Sequence, residues 1–123
     1  MLRRLLLPLA LFAVALVAAQ SGSARTTAAP KLVGTVGPGF TIELKTAAGK
    51  DVKTLKAGKY TILVQDKGSI HDFHLVGPGV NKATTVPFVG KQTWTVTFKP
   101  GKYTYKCDPH AAAGMKGTFK VTT

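Results

Sequence analysis

The feature that most constrains this chain is an alternation of period two. Between residues 92 and 99, Trp94, Val96 and Phe98 occupy one parity while Thr93, Thr95 and Thr97 occupy the other. Successive side chains of a strand point to opposite faces, so this run buries one side as a strand and scatters its apolar residues as a helix. Phe40, Ile42 and Leu44, then Tyr60, Ile62 and Val64, and finally Phe119 and Val121 repeat the pattern. Turn residues part the runs at Ala48-Gly49-Lys50-Asp51, Gly77-Pro78-Gly79 and Pro100-Gly101. Further strands are expected at 32–36, as an edge strand, at 69–76 and at 102–107. No segment has a convincing helical period. Seven or eight short strands predict an all-β, two-sheet β-sandwich. Its expected core is Phe40, Ile42, Leu44, Tyr60, Ile62, Val64, Phe73, Leu75, Trp94, Val96, Phe98, Phe119 and Val121. On alternation alone, an immunoglobulin-like structural domain fits as well. Gly34, Gly37 and Gly39 match neither a dinucleotide nor a phosphate loop and read as turn glycines.

The first residues are of another kind. Met1-Leu2-Arg3-Arg4 is basic, 5–17 is apolar apart from Pro8, and small residues follow at Ala18-Ala19. This is the pattern of an export signal spanning 1–19, with a second possible cut as late as residue 24. The alternative is an uncleaved membrane anchor, but the apolar run is shorter than the roughly 20 residues a membrane span needs, which favours cleavage, with no stable membrane insertion expected afterwards. Residues 20–30, rich in Ser, Thr, Ala and Gly, read as a flexible tail ahead of one domain at 31–123. The expected location is therefore periplasmic or extracellular.

The formal charge is +12, and loss of Arg3 and Arg4 with the signal leaves +10 against five acids, Glu43, Asp51, Asp66, Asp72 and Asp108. Such a balance attracts acidic proteins, nucleic acid or anionic membrane surfaces. The lysines are spread over turns and outward strand positions, which speaks for a solvated basic surface and no nucleic-acid site.

Chemistry concentrates in the last seventeen residues. Cys107, His110 and Met115 bring the only cysteine, one of three histidines and one of two methionines within nine positions. Thiolate, imidazole and thioether are soft or borderline donors, which favour copper over magnesium or calcium. A lone cysteine forms no internal disulfide, and in an oxidising compartment a thiol is a liability unless buried, capped or bound to metal. A copper centre with two imidazoles and one thiolate in a plane, plus a weak axial Met, needs one more histidine. In a strand over 69–76, His71 shares the parity of Phe73 and Leu75 and faces inward, whereas His74 faces out. His71 is therefore the expected fourth ligand, and His74 an exposed histidine.

The loop Cys107-x2-His110-x4-Met115, the upstream His71 and the tail 115–121 resemble the small blue copper proteins, the cupredoxins. The spacing is similar to that of the plastocyanin, pseudoazurin and amicyanin branch. The resemblance covers 31–123 and implies a Greek-key β-sandwich holding one type 1 copper per chain through His71, Cys107, His110 and Met115. It also implies one-electron transfer between redox partner proteins by a carrier that is not an enzyme. In the family the loop histidine sits in an apolar docking patch, which here maps to His110 beside Ala111, Ala112 and Ala113. The family usually has Asn where this chain has Asp72, and photosynthetic members carry an aromatic residue where this chain has Lys106. A partner with an acidic docking surface is expected, and a monomer.

Three other readings compete. A zinc site from His71, His74, Cys107 and His110 requires two histidines to converge from opposite faces of one strand and leaves Met115 without a role. A cysteine nucleophile lacks a legible orienting third group. A copper-binding or copper-carrier protein of the same fold, with no electron-transfer role, shares every ligand.

Overall fold

The alternation forms strands where it is clearest. In the computed structural model, β4 (Gly58–Asp66) and β7 (Gly90–Phe98) pair antiparallel, with Tyr60 opposite Val96 and Ile62 opposite Trp94. Residues 27–123 are described, with 15, 18 and 22 singly, so the expected signal and most of the expected tail lie outside the described residues. The other strands are β1 (Lys31–Val36), β2 (Ile42–Thr46), β3 (Thr54–Lys56), β5 (His74–Gly77), β6 (Val80–Ala83), β8 (Gly101–Lys106) and β9 (Lys116–Thr122). One sheet has the order β2-β1-β4-β7 and the other β3-β9-β8-β5-β6. The result is the expected Greek-key β-sandwich. It has nine strands among the described residues, because the short β3 and the β5–β6 hairpin add to those legible in the sequence.

The inner faces meet in one core that includes Leu44, Ile62, Val64, Phe73, Leu75, Val96, Phe98, Phe119 and Val121. Leu32, Val36, Val52, Val80 and Tyr103 join it, though the alternation did not mark them. Tyr103 is fully buried, and its hydroxyl donates to the Pro78 carbonyl at 2.8 Å while accepting the Lys99 N–H at 3.0 Å. This bond back to the preceding turn resembles the tyrosine corner of sandwich folds. Both sheets and this core lie within 31–122, so residues 27–123 contain every strand pairing and core residue named here.

Five expectations need correction. Phe40 is not core: it is 67% exposed, because the Gly37 N–H bonds the Thr41 carbonyl at 2.9 Å and turns the chain before β2 begins. Ile42, the first residue of β2, is only partly buried. The strand at 32–36 is not an edge: β1 lies between β2 and β4, antiparallel to one and parallel to the other. Gly34 is no turn glycine but sits within β1, where a Cβ would stand 2.6 Å from the Phe73 ring.

The fifth correction bears on the site. The strand expected at 69–76 begins only at His74, and residues 71–73 are irregular and consecutively buried. Thr84 holds them there: its hydroxyl accepts the Phe73 N–H at 2.9 Å and its own N–H donates to the Phe73 carbonyl at 3.1 Å. The Thr84 hydroxyl in turn donates to the buried Asp66 at 3.2 Å, and the second oxygen of that carboxylate accepts the Gly68 N–H at 3.1 Å. Burial raises the Asp66 pKa, against the opposing hydrogen bonds from Gly68 and Thr84.

Candidate metal centre

Strand β8 ends at Lys106, and Cys107 follows in extended conformation. Pro109 then starts a 3-10 helix, Asp108–Ala113, which Gly114 ends with φ of 100°. Left-handed φ suits glycine because it has no Cβ. The turn brings residue 115 back under residue 107: the Cys107 N–H donates to the Met115 carbonyl at 3.0 Å, and the Met115 N–H to the His110 carbonyl at 3.2 Å. Cys107 and Met115 are both buried. The loop is thus closed by its own backbone, with its thiol and thioether inside.

His71 arrives from the other side. Its ring is fully buried and clamped between two glycines, since a Cβ at either Gly37 or Gly68 would lie 2.9 Å from His71 Cδ2. His71 Nε2 lies 3.3 Å from the Pro38 carbonyl. That oxygen can only accept, so Nε2 carries the proton and Nδ1 keeps its lone pair. His71 Nδ1 points at the loop, 3.1 Å from His110 Nδ1 and 3.6 Å from Cys107 Sγ, and His110 Nδ1 is 3.3 Å from that sulfur.

Three donor atoms from two segments therefore form a nearly equilateral triangle. The point equidistant from them lies about 1.9 Å from each, close to the ~2.0–2.3 Å of metal–imidazole and metal–thiolate bonds. Burial pushes the Cys107 thiol pKa up, while the backbone N–H groups of Asp72 and His110 favour the thiolate. A soft cation in the triangle would complete that bias, because a coordinated thiol is deprotonated. The donor set fits copper.

His74 lies in a second group, with Asp72 and Asp108. It is not the exposed histidine expected: its side chain is 19% exposed, Nδ1 lies 2.9 Å from Asp108 Oδ2, and Nε2 donates to Asn81 Oδ1 at 2.6 Å. It does face outward, opposite Lys106 in the β5–β8 register, but Asp108 and Asn81 cover it. Phe40 is the residue that sequence reasoning missed at the site. Its ring stands edge-on to His110 at 4.9 Å and to His71 at 5.5 Å, roofing both imidazoles from outside. No local signal separates such a ring from a core phenylalanine.

A β-sandwich whose one end gathers a thiol and two imidazoles around a single point defines a small blue copper protein. Residues 35–122 match the model of the copper binding proteins of the plastocyanin/azurin family, and the chain belongs to that family. Among solved structures it is similar to reduced rusticyanin, with 25% identity, TM-score 0.55, and coverage of 75% of this chain and 78% of that one. A rusticyanin variant gives 26% identity and TM-score 0.52 over 75% and 76%. A multi-copper oxidase from Pediococcus acidilactici shares the fold at 19% identity and TM-score 0.51; the match covers 80% of this chain and 27% of the oxidase.

Proposed function

We propose that this chain is an exported one-electron carrier whose type 1 copper would be held by His71, Cys107, His110 and Met115. The observation that carries the reading is the convergence of the three donor atoms within 3.6 Å of one another in a pocket closed by the Cys107–Met115 backbone bond. When bound, copper supplies one-electron chemistry by cycling between Cu(I) and Cu(II). The chain's part is to resist change between the two states. His71 is fixed by its glycine clamp and by Pro38, His110 by the 3-10 turn, and Cys107 by the end of β8. A full donor set leaves no position for a substrate, which supports a carrier and not an oxidase.

His110 is half-buried under the exposed Phe40, with Ala111 to Ala113 beside it, and this end is the proposed contact for redox partners. The partner class is a protein with an acidic surface, given the basic chain. Export to the periplasm or cell exterior rests on the N-terminal pattern of residues 1–19. No helix of the described residues is long and apolar enough to cross a membrane.

Voltammetry of the copper-loaded protein tests the reading against that of a copper carrier. A reversible one-electron wave that persists through repeated cycling beside a Cu(I) chelator supports electron transfer. Loss of copper to the chelator on reduction contradicts it and favours delivery. Met115→Leu should keep copper and raise the potential, since removing a donor disfavours the cupric state.

A further inference from the structure

The outer face of the five-stranded sheet carries an array that the copper site does not use. In the β8–β9 register Lys102 stands directly opposite Lys120, and Lys106 directly opposite Lys116. Like charges at directly opposed positions destabilise a sheet, and here two such pairs share one face. The parity is outward: Lys102, Lys116 and Lys120 are exposed, while Tyr103 and Phe119, which alternate with them, are buried. Lys56 in the edge strand β3 and Lys53 just before it extend the array, and both are exposed. Lys53, Lys102, Thr118 and Lys120 line one shallow groove of about 340 Å³. Among the described residues, a single ion pair reaches these lysines, from Lys106 Nζ to Asp108 Oδ1 at 3.7 Å. Between the lysines the face carries threonines, at 54, 104 and 118.

We propose that this face docks on an anionic lipid surface, holding the chain by its flank and leaving the Phe40–His110 end free. Specific protein interfaces depend on central aromatic or aliphatic anchors. The exposed large hydrophobics of the described residues, Phe40, Ile70 and Val89, all lie in loops outside the sheets. Headgroup phosphates need no such anchor, and each basic residue near a charged membrane adds to the attraction. Repulsion within the two lysine pairs, met among the described residues only by the Lys106–Asp108 ion pair, is relieved when phosphates approach. The proposal is independent of copper and stands or falls separately from electron transfer.

Metal-free residues 27–123 can be sedimented with vesicles of phosphatidylglycerol mixed with phosphatidylcholine, and with phosphatidylcholine alone, at physiological ionic strength. Binding is expected to the anionic vesicles only. Lys102→Gln with Lys120→Gln should weaken it about thirtyfold, with thermal stability unchanged or raised. Lys59→Gln with Lys91→Gln removes the same charge from exposed positions of the other sheet and should weaken it less than about threefold. Equal losses in the two double variants would reduce the effect to net charge and overturn the proposal, as would no binding to anionic vesicles. Capture of soluble polyglutamate without vesicle binding would assign the face to acidic proteins and overturn it as well.

Discussion

The Asp108 N–H donates to Asp72 Oδ1 at 2.6 Å, joining the residue after His71 to the residue after Cys107. The two segments that supply the proposed ligands are therefore stitched directly behind the donor triangle. Asp72 is buried. Burial, and then the neighbouring Asp108 carboxyl, push its pKa up to about 6, while the hydrogen bond with Asp72 pulls that of Asp108 down.

Asp72 makes metal-free stability depend on pH with a definite sign. Its folded pKa of about 6 exceeds the ordinary 3.8, so across that window the folded chain binds more protons than the unfolded one. Its contribution is full below 3.8 and is lost as pH rises through about 6. Asp72→Asn retains an acceptor for the Asp108 N–H and removes the titration. It should bind copper with the same absorption and show a shallower decline in urea-unfolding stability across this window. Asp72→Ala, which leaves the N–H unpaired, should cost about 1–3 kcal/mol.

His74 braces the loop from β5 without entering the donor triangle. Burial disfavours its cation, but the hydrogen bonds to Asp108 and Asn81 and the Asp108 charge outweigh that, so its pKa is raised above 6.5. Its stabilising contribution is therefore full below pH 6.5 and fades as pH rises through the folded value. His74→Ala should lose about 1 kcal/mol at acidic pH and less at alkaline pH, with the visible spectrum of the copper form unchanged. Disappearance of the thiolate-to-copper band in this variant would remove His71 from the ligand set.

Phe40→Ala separates a roof from a core residue. A buried phenylalanine cut to alanine costs about 3–5 kcal/mol; an exposed ring should cost under about 1 kcal/mol. The expected effect lies at the metal end, as faster loss of copper to a chelator once the cover of His110 is gone.

Gly68→Ala tests the clamp on His71. The new Cβ would approach His71 Cδ2 to 2.9 Å, and the crowded ring has to move. Destabilisation of about 1–3 kcal/mol is expected, together with weaker copper binding and an altered spectrum. An unchanged spectrum with unchanged stability would show that the glycine does not position the ring.

The sequence carried the sandwich in Tyr60–Ile62–Val64 and Trp94–Val96–Phe98, where long strands obey a period of two without interruption. It carried Cys107, His110 and Met115 because one tight turn keeps all three together. His71 was selected by the parity of a strand that starts only at His74; it faces inward because Thr84 and the Asp72–Asp108 bond hold an irregular segment there. The same parity placed His74 outward but could not foresee its cover by Asp108 and Asn81, and extrapolation across the turn at 37–41 misjudged Phe40. What escaped are long-range partners such as Asp66 with Thr84, or Gly68 against His71. No periodicity encodes contacts that exist only after the sheets have closed.

Titration of residues 27–123 with Cu(II), followed by visible absorption and electron paramagnetic resonance, tests the ligand set most directly. The account predicts saturation at one copper per chain, an intense thiolate-to-copper band and narrow hyperfine splitting, all lost in Cys107→Ser. A colourless complex, or a blue band that survives the loss of Cys107, would contradict it.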